Sequence, residues 1–211
     1  MIRVGIIGAG AIASVHVDSY KRFPEQAVIV AVCDSFKNKA EKLIAEKSLK
    51  AVAYDDYTKL LADPKIDAVS LCLPPNLHCS ATVKALNMGK HVLVEKPMAS
   101  SLEECDRMID AAHTNGKILS IVSQNRFKTP IARVRRMLEN GELGRILYSN
   151  FESLWWRGQM YYDLWWRGTW AQECGGCMMS HAVHYLDLMH MFFGMPKRVW
   201  AVIANVGHDN S

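Results

Sequence analysis

The sequence predicts an α/β fold: a doubly wound parallel sheet, followed by a smaller region that cannot close a core of its own. Three observations predict it. Apolar β-rich runs alternate with helix-patterned segments through the first 122 residues, as βαβ units do. The runs are almost continuous in Val, Ile, Leu and Ala, the composition of strands covered on both faces. Beyond Val122 the alternation stops and an aromatic segment begins, with all six tryptophans between Trp155 and Trp200.

In chain order, the predicted strands are Arg3 to Ile7, Val28 to Cys33, a weak one near Ala51 to Ala53, Ala68 to Leu73, His91 to Val94 and Ile118 to Val122. Helical spacing marks Lys37 to Lys47, Asn76 to Met88 and Leu102 to Thr114 between them. After these come a helix from about Pro130 to Glu139, a strand from about Ile146 to Ser153, a short helix near Ser180 and a last strand-like run, Val199 to Val206. The pentapeptide Leu-Trp-Trp-Arg-Gly occurs at Leu154 to Gly158 and again at Leu164 to Gly168, too few copies to build a solenoid. One helix, two strands and a buried helix fall short of a closed core. The expectation is therefore a truncated form of a longer chain, with a complete α/β domain over residues 1–123 and a partial second domain over 124–211.

Composition narrows the function classes. With 211 residues, 50% apolar and 22% charged, the chain is ordinary globular material. No apolar run approaches the ~20 residues that span a bilayer, and the N-terminus lacks the pattern of a secretory leader, so the reading is cytoplasmic with no membrane partner. The net charge of +4 is spread thinly, which argues against nucleic acid. Its densest basic patch, Arg133, Arg135 and Arg136, reads as a solvated helix face in preference to a phosphate site. The six cysteines sit mostly in apolar segments, so a disulfide framework is not expected.

Gly8-Ala9-Gly10-Ala11-Ile12-Ala13 follows the first strand and opens a helix. In that context G-x-G-x-x-A is a dinucleotide fingerprint of the Rossmann type. Gly8 permits the tight turn, Gly10 lets backbone approach a pyrophosphate, and Ala13 lets helix and strand pack closely. Asp34, at the end of the second strand, can accept hydrogen bonds from ribose hydroxyls and repels a 2′-phosphate, favouring NAD over NADP. Lys37 and Lys39 are near enough to weaken that preference. The bland reading of the same residues is a glycine turn beside a solvated aspartate.

Pro74-Pro75-Asn76-Leu77-His78 follows the fourth long run and Glu95-Lys96-Pro97 the next, both at strand carboxyl ends where ligands of such sheets collect. Asn76 reads as a helix N-cap. Pro97 restrains Lys96 to extended geometry and permits a cis bond, either of which fixes the direction of the ammonium group; the bland reading is a surface lysine before a turn. In Cys174-Gly175-Gly176-Cys177-Met178-Met179-Ser180-His181-Ala182-Val183-His184-Tyr185-Leu186-Asp187, a helix beginning near Ser180 places Ser180, His184 and Asp187 on one face, an imidazole between two polar partners as a general base needs. Cys174, Cys177, His181 and His184 also have the residue types of a zinc site, but the spacing is compact and the glycine pair reads as a turn, so no metal is expected.

These motifs, in this order, resemble those of the glucose-fructose oxidoreductase and inositol dehydrogenase family: G-A-G-A-I-A, P-P-N-L-H, E-K-P and G-G-C-M-M-S-H-A-V-H-Y-L-D. The resemblance spans the whole chain and implies a Rossmann domain up to about Ser123, then a mainly antiparallel sheet domain that carries substrate and often makes the oligomer contact. It implies that Lys96 contacts the reacting hydroxyl and that His184 is the catalytic histidine. The aspartate usual four residues before that histidine is Ser180 here. Cys174 and Cys177 stand where the family carries the outer glycines of a triplet. Gln124 and Arg126 match positions near nicotinamide and substrate.

The expectation that results is an oxidoreductase passing hydride between a hydroxyl of a sugar, cyclitol or related polyol and NAD. Its cofactor-binding residues are Gly8, Gly10, Ala11, Ile12, Asp34, Leu73, Pro74, Asn76, His78, Glu95, Lys96 and Gln124. Its substrate residues are Arg126, Arg167, Ser180 and His184. The tryptophans either give flat faces for sugar C–H groups or fill the space between domains. Two other readings stay open: an NAD-using glycosidase that oxidises its sugar transiently, and a catalytically silent dinucleotide-binding regulator.

Overall fold

In the computed structural model, residues 1–164 and 167–205 are described. The chain divides into two compact units, Met1–Val122 and Ser123–Ser211. The first is built on six parallel strands: β1 (Ile2–Ile7), β2 (Ala27–Cys33), β3 (Val52–Tyr54), β4 (Ala68–Leu71), β5 (His91–Val94) and β6 (Leu119–Ile121), ordered β3-β2-β1-β4-β5-β6. The order reverses between β1 and β4, the doubly wound arrangement. Helices α1 (Ala11–Tyr20), α2 (Lys37–Glu46), α3 (Tyr57–Ala62), α4 (His78–Asn87) and α5 (Leu102–Thr114) make the crossovers.

The period of two along a strand sorts the core into two clusters. Val4 and Ile6 of β1 pack with Ala13 and Val17 of α1 and Ala40 and Leu43 of α2. Ile7, next along the strand, joins Leu60 and Leu61 of α3, Leu86 of α4 and Met108 of α5. At the opposite end of the strands from the glycine turn, Arg3 clamps Asp67 through Nε at 2.9 Å and Nη2 at 2.6 Å, tying β1 to the start of β4. Ser101 caps α5 by accepting from the Glu104 N–H, so its Ser-x-x-Glu start coincides with the predicted one.

Two differences from expectation have local causes. The short α3 carries too few turns for its periodicity to show, and it is fixed instead by Asp56, whose carboxylate accepts from Thr58 N–H at 2.7 Å. Asn76 does not cap α4: Pro75–Leu77 form a 3-10 turn and Leu77 occupies the cap position.

The second unit contains α6 (Thr129–Glu139), α7 (Gln159–Tyr162), α8 (Trp170–Glu173), α9 (Cys177–Ser180) and α10 (Val183–Phe193). The strands expected over 146–153 and 199–206 do not form among the described residues; Val206 lies outside them. A strand exists only through ladder bonds to a neighbour, and neither segment has one here; Leu147 and Tyr148 in the first and Val199 and Trp200 in the second are exposed. The mainly antiparallel sheet is therefore not found in the described part of this unit. Trp165 and Trp166, two of the six tryptophans expected to offer flat faces, also lie outside the described residues. Among those residues, no helix is long and apolar enough to cross a membrane.

Candidate active site

In the first unit, four turns line the carboxyl edge of the sheet in the order of their strands, one each after β2, β1, β4 and β5. Gly8, after β1, has φ +95°, and a Cβ there would lie 2.3 Å from the Cys72 carbonyl oxygen. Only glycine fits that approach. Gly10 differs, since its φ of −77° is ordinary and a Cβ would meet nothing within 4 Å. Among the described residues the space beside it is open and no side chain caps α1, so the Ala11 and Ile12 end of that helix presents backbone N–H groups and the positive end of the helix dipole to the opening.

Asp34, after β2, accepts from Ala9 N–H at 2.9 Å and from Phe36 N–H at 3.0 Å. One bond to each oxygen leaves lone pairs for ribose hydroxyls and holds the carboxylate beside the glycine turn. After β4, Leu73 and Pro74 lead into the 3-10 turn, where Asn76 Oδ1 is shut off from solvent with no hydrogen-bond partner among the described residues. An acceptor left in that condition is costly unless a ligand donor reaches it. His78 corrects the expectation of a direct cofactor contact. It is fully buried, with Nδ1 2.7 Å from Pro97 O and Nε2 2.9 Å from Leu73 O, so its ring braces the β4 turn against the β5 turn.

After β5, the Lys96–Pro97 peptide is cis. Glu95 is buried against His16 of α1, Nε2 to Oε1 3.0 Å, and its Oε2 accepts from the Lys96 N–H at 3.2 Å. Burial alone would raise the Glu95 pKa, but the hydrogen bond and charge of His16, with the Lys96 N–H, bring it below the ordinary value. Glu95 is thus an ionised anchor for the peptide that carries Lys96. Sequence reasoning missed His16, which has no motif of its own and meets its partner 79 residues away.

Cys33 at the end of β2 and Cys72 just beyond β4 are buried thiols. Burial pushes the Cys33 thiol up to about 12 and raises that of Cys72 also.

In the second unit, Gln124 and Arg126 lie in a 3-10 turn, Gln124–Phe127. Arg126 donates to Asp187 of α10 through Nε at 2.8 Å and Nη2 at 2.5 Å. This corrects the expected Ser180, His184 and Asp187 face. The helix breaks at His181 and Ala182, leaving Ser180 at the end of α9 and His184 in the first turn of α10. Ser180 Oγ instead meets His181 Nδ1 at 2.9 Å, and His181 Nε2 meets the Tyr161 hydroxyl at 3.2 Å. Cys174 ends α8 in the left-handed conformation at φ +64°, a backbone glycine commonly supplies, which suits its place in a Cys-Gly-Gly-Cys turn.

Arg167 is anchored within the protein, its Nη1 2.5 Å from the buried Glu173, whose other oxygen accepts from Gly168 N–H at 2.9 Å. A cavity of about 330 Å³ lies beside these groups, lined by Tyr161, Trp170, Glu173, Cys177, Ser180 and His181 among others. Among the described residues, no three His, Cys, Asp or Glu side chains are placed to hold a metal ion.

The geometry agrees with what this chain is similar to. A family model described as oxidoreductase family, NAD-binding Rossmann fold, matches residues 2–123, and one described as GFO/IDH/MocA C-terminal domain matches residues 131–211. D-glucoside 3-dehydrogenase of Escherichia coli is 34% identical over 92% of this chain and 55% of its own length. Inositol 2-dehydrogenase of Salmonella paratyphi B is 30% identical over 69% of this chain and 44% of its own. A crystal structure of the WlbA dehydrogenase of Chromobacterium violaceum, in complex with NADH and UDP-GlcNAcA, is 32% identical with a TM-score of 0.85, covering 92% of this chain and 55% of that one. The chain thus spans about half the length of the relatives it matches.

Proposed function

The chain belongs to the GFO/IDH/MocA oxidoreductase family, and on that premise we propose that it carries the NAD domain and the first part of the substrate domain of a dehydrogenase. In this reading the dinucleotide domain is residues 1–123 and the substrate domain starts at 124; the substrate is a sugar, cyclitol or related polyol oxidised at a CH–OH carbon. The observation that carries the proposal is the carboxyl edge of the sheet, where an open cradle at Gly10, a fixed Asp34 carboxylate, an orphaned Asn76 Oδ1 and an anchored Lys96 peptide follow one another. That edge fits a dinucleotide: pyrophosphate against Gly10, Ala11 and Ile12, ribose at Asp34, and the far half toward Leu73, Pro74, Asn76, Glu95 and Lys96.

Bound NAD would supply the acceptor for the hydride that leaves the carbinol carbon. The chain's own residues manage the other charges. His184 takes the hydroxyl proton as general base, and the Lys96 ammonium stabilises the alkoxide as it develops. Overall CH–OH becomes C=O: the departing hydride carries both electrons, and the hydroxyl proton goes to His184 and then to solvent. The Arg126–Asp187 pair ties α10, which carries His184, to the Gln124–Phe127 turn, while Ser180, joined to His181, supplies a neutral hydroxyl in place of a second carboxylate.

NADH absorbance across a panel of sugars and cyclitols tests the proposal: turnover of at least one member is expected, and none with intact NAD binding would contradict it. Cofactor choice tests Asp34 separately. Wild type is expected to bind NAD more tightly than NADP by calorimetry, and Asp34→Asn to reduce the gap by roughly tenfold by removing a like charge from the 2′-phosphate. Equal affinities in wild type would mean that Lys37 and Lys39 outweigh Asp34. Association of the substrate domains of two chains is the assembly this reading expects.

A further inference from the structure

The two copies of Leu-Trp-Trp-Arg-Gly bring two guanidinium groups to one tyrosine. Arg157 stacks with its central carbon 3.9 Å from the Trp155 ring centroid and 5.1 Å from that of Tyr161, and Arg167 lies 4.2 Å from the Tyr161 centroid on its own account. Their charges are treated differently. Arg167 is neutralised by the buried Glu173 at 2.5 Å. Arg157 has no ion pair among the described residues; its hydrogen bonds go to neutral groups, a long one from Nη1 to Trp156 O at 3.5 Å and one to the Tyr161 side chain, and its shielded Nε has no partner among those residues.

Around Tyr161, then, stand two positive charges and one negative. Stacking fixes the plane of the Arg157 guanidinium and leaves its charge unspent, a half-buried cation on an aromatic floor. A planar, preoriented fork of this kind matches the two oxygens of a carboxylate or phosphate better than it matches any neutral sugar group. A packing arginine would gain more from a carboxylate partner such as the one Arg167 has.

We propose that Arg157 is the recognition point for an oxyanion carried by the substrate, so that this site prefers acidic or phosphorylated sugars to neutral ones. The proposal rests on the reading of the second unit as the substrate unit and names the substrate class within it. It requires no motion of Arg167, whose anchoring to Glu173 keeps the neighbouring charge silent.

Calorimetry with three probes, glucuronate, glucose 6-phosphate and glucose, on the NADH-loaded protein tests it. Wild type is expected to bind at least one of the two anions tenfold or more tightly than glucose, and the better anion tells carboxylate from phosphate. In Arg157→Gln that preference should disappear, while Arg145→Gln, an exposed arginine of the same unit, should keep it. If Arg157→Gln does not fold, Arg157→Lys decides: keeping the charge but losing the fork, it should lose at least threefold of the preference. Overturning results are no anion preference in wild type, a preference that survives in Arg157→Gln or is undiminished in Arg157→Lys, or a lowered melting temperature in both variants with the preference intact. Anion preference without NADH formation from any sugar would refute the dehydrogenase reading alone; NADH formation from neutral sugars without anion preference would refute this one alone.

Discussion

His184→Ala is expected to lower kcat for polyol oxidation by about 10² to 10⁴, the usual contribution of a positioned general base, while NAD affinity changes by no more than a few fold. Lys96→Ala should cost roughly 10² to 10³, the scale on which a fixed charge stabilises a developing oxyanion. The double variant should be little worse than the poorer single one, because both groups serve one transition state. The split between turnover and binding follows from position. Lys96 follows β5, whereas the pyrophosphate cradle at Gly10 lies beyond β1, and α10 belongs to the other unit. Steady-state kinetics beside a calorimetric NAD titration measures it; full turnover by His184→Ala would move the base elsewhere.

The second large effect separates two glycines that the fingerprint treats alike. Gly8→Ala meets two penalties, a positive φ and a Cβ 2.3 Å from the backbone oxygen of Cys72. Neither can be relieved by a side-chain rotation, so β1 and β4 must shift. A loss of about 3 kcal/mol or more is expected, or on the order of 6–12 °C in melting temperature for a chain of this size, with NAD binding lost as well. Gly10→Ala has an ordinary φ and open space. It should fold with a near-normal melting temperature and still weaken NAD binding tenfold or more, because the methyl would occupy the cradle. Differential scanning calorimetry and an NAD titration on both variants separate the fold requirement from the cofactor requirement.

The sheet was legible because its parallel strands are mostly apolar and each crossover helix except α3 is long enough to show its period. β5 and α5 begin and end where the pattern puts them. The weak run near Ala51 to Ala53 also proved to be a strand, shifted by one residue to Val52–Tyr54. The six residues of α3 carry no comparable signal. The second unit read poorly for a different reason. Segments 146–153 and 199–205 have strand composition, but composition cannot supply the ladder partner that makes a strand, and no pairing occurs among the described residues.

The candidate site divides in the same way. Gly8, Gly10, Asp34 and Lys96 announce themselves because they sit in a turn at a strand end, where local chemistry decides the geometry. The partnerships do not: His16 with Glu95, Arg126 with Asp187 and Tyr161 with His181 join residues 79, 61 and 20 positions apart. The helical spacing that made Ser180, His184 and Asp187 a plausible trio assumed one unbroken helix, and the break at His181 sends Ser180 and Asp187 to other partners.

The central claim is that hydride leaves a carbinol carbon for NAD on this protein, and isotope transfer tests it most directly. A sugar or cyclitol that turns over, deuterated at its carbinol carbons, is mixed with the protein and NAD, and the nicotinamide product is analysed by mass spectrometry. Accumulation of singly deuterated NADH, stoichiometric with the oxidised product, is the expected result. Deuterium that returns to a cleaved sugar with no net NADH would mark a transiently oxidising glycosidase, and unlabelled cofactor across every sugar, despite measurable NAD binding, would contradict the account.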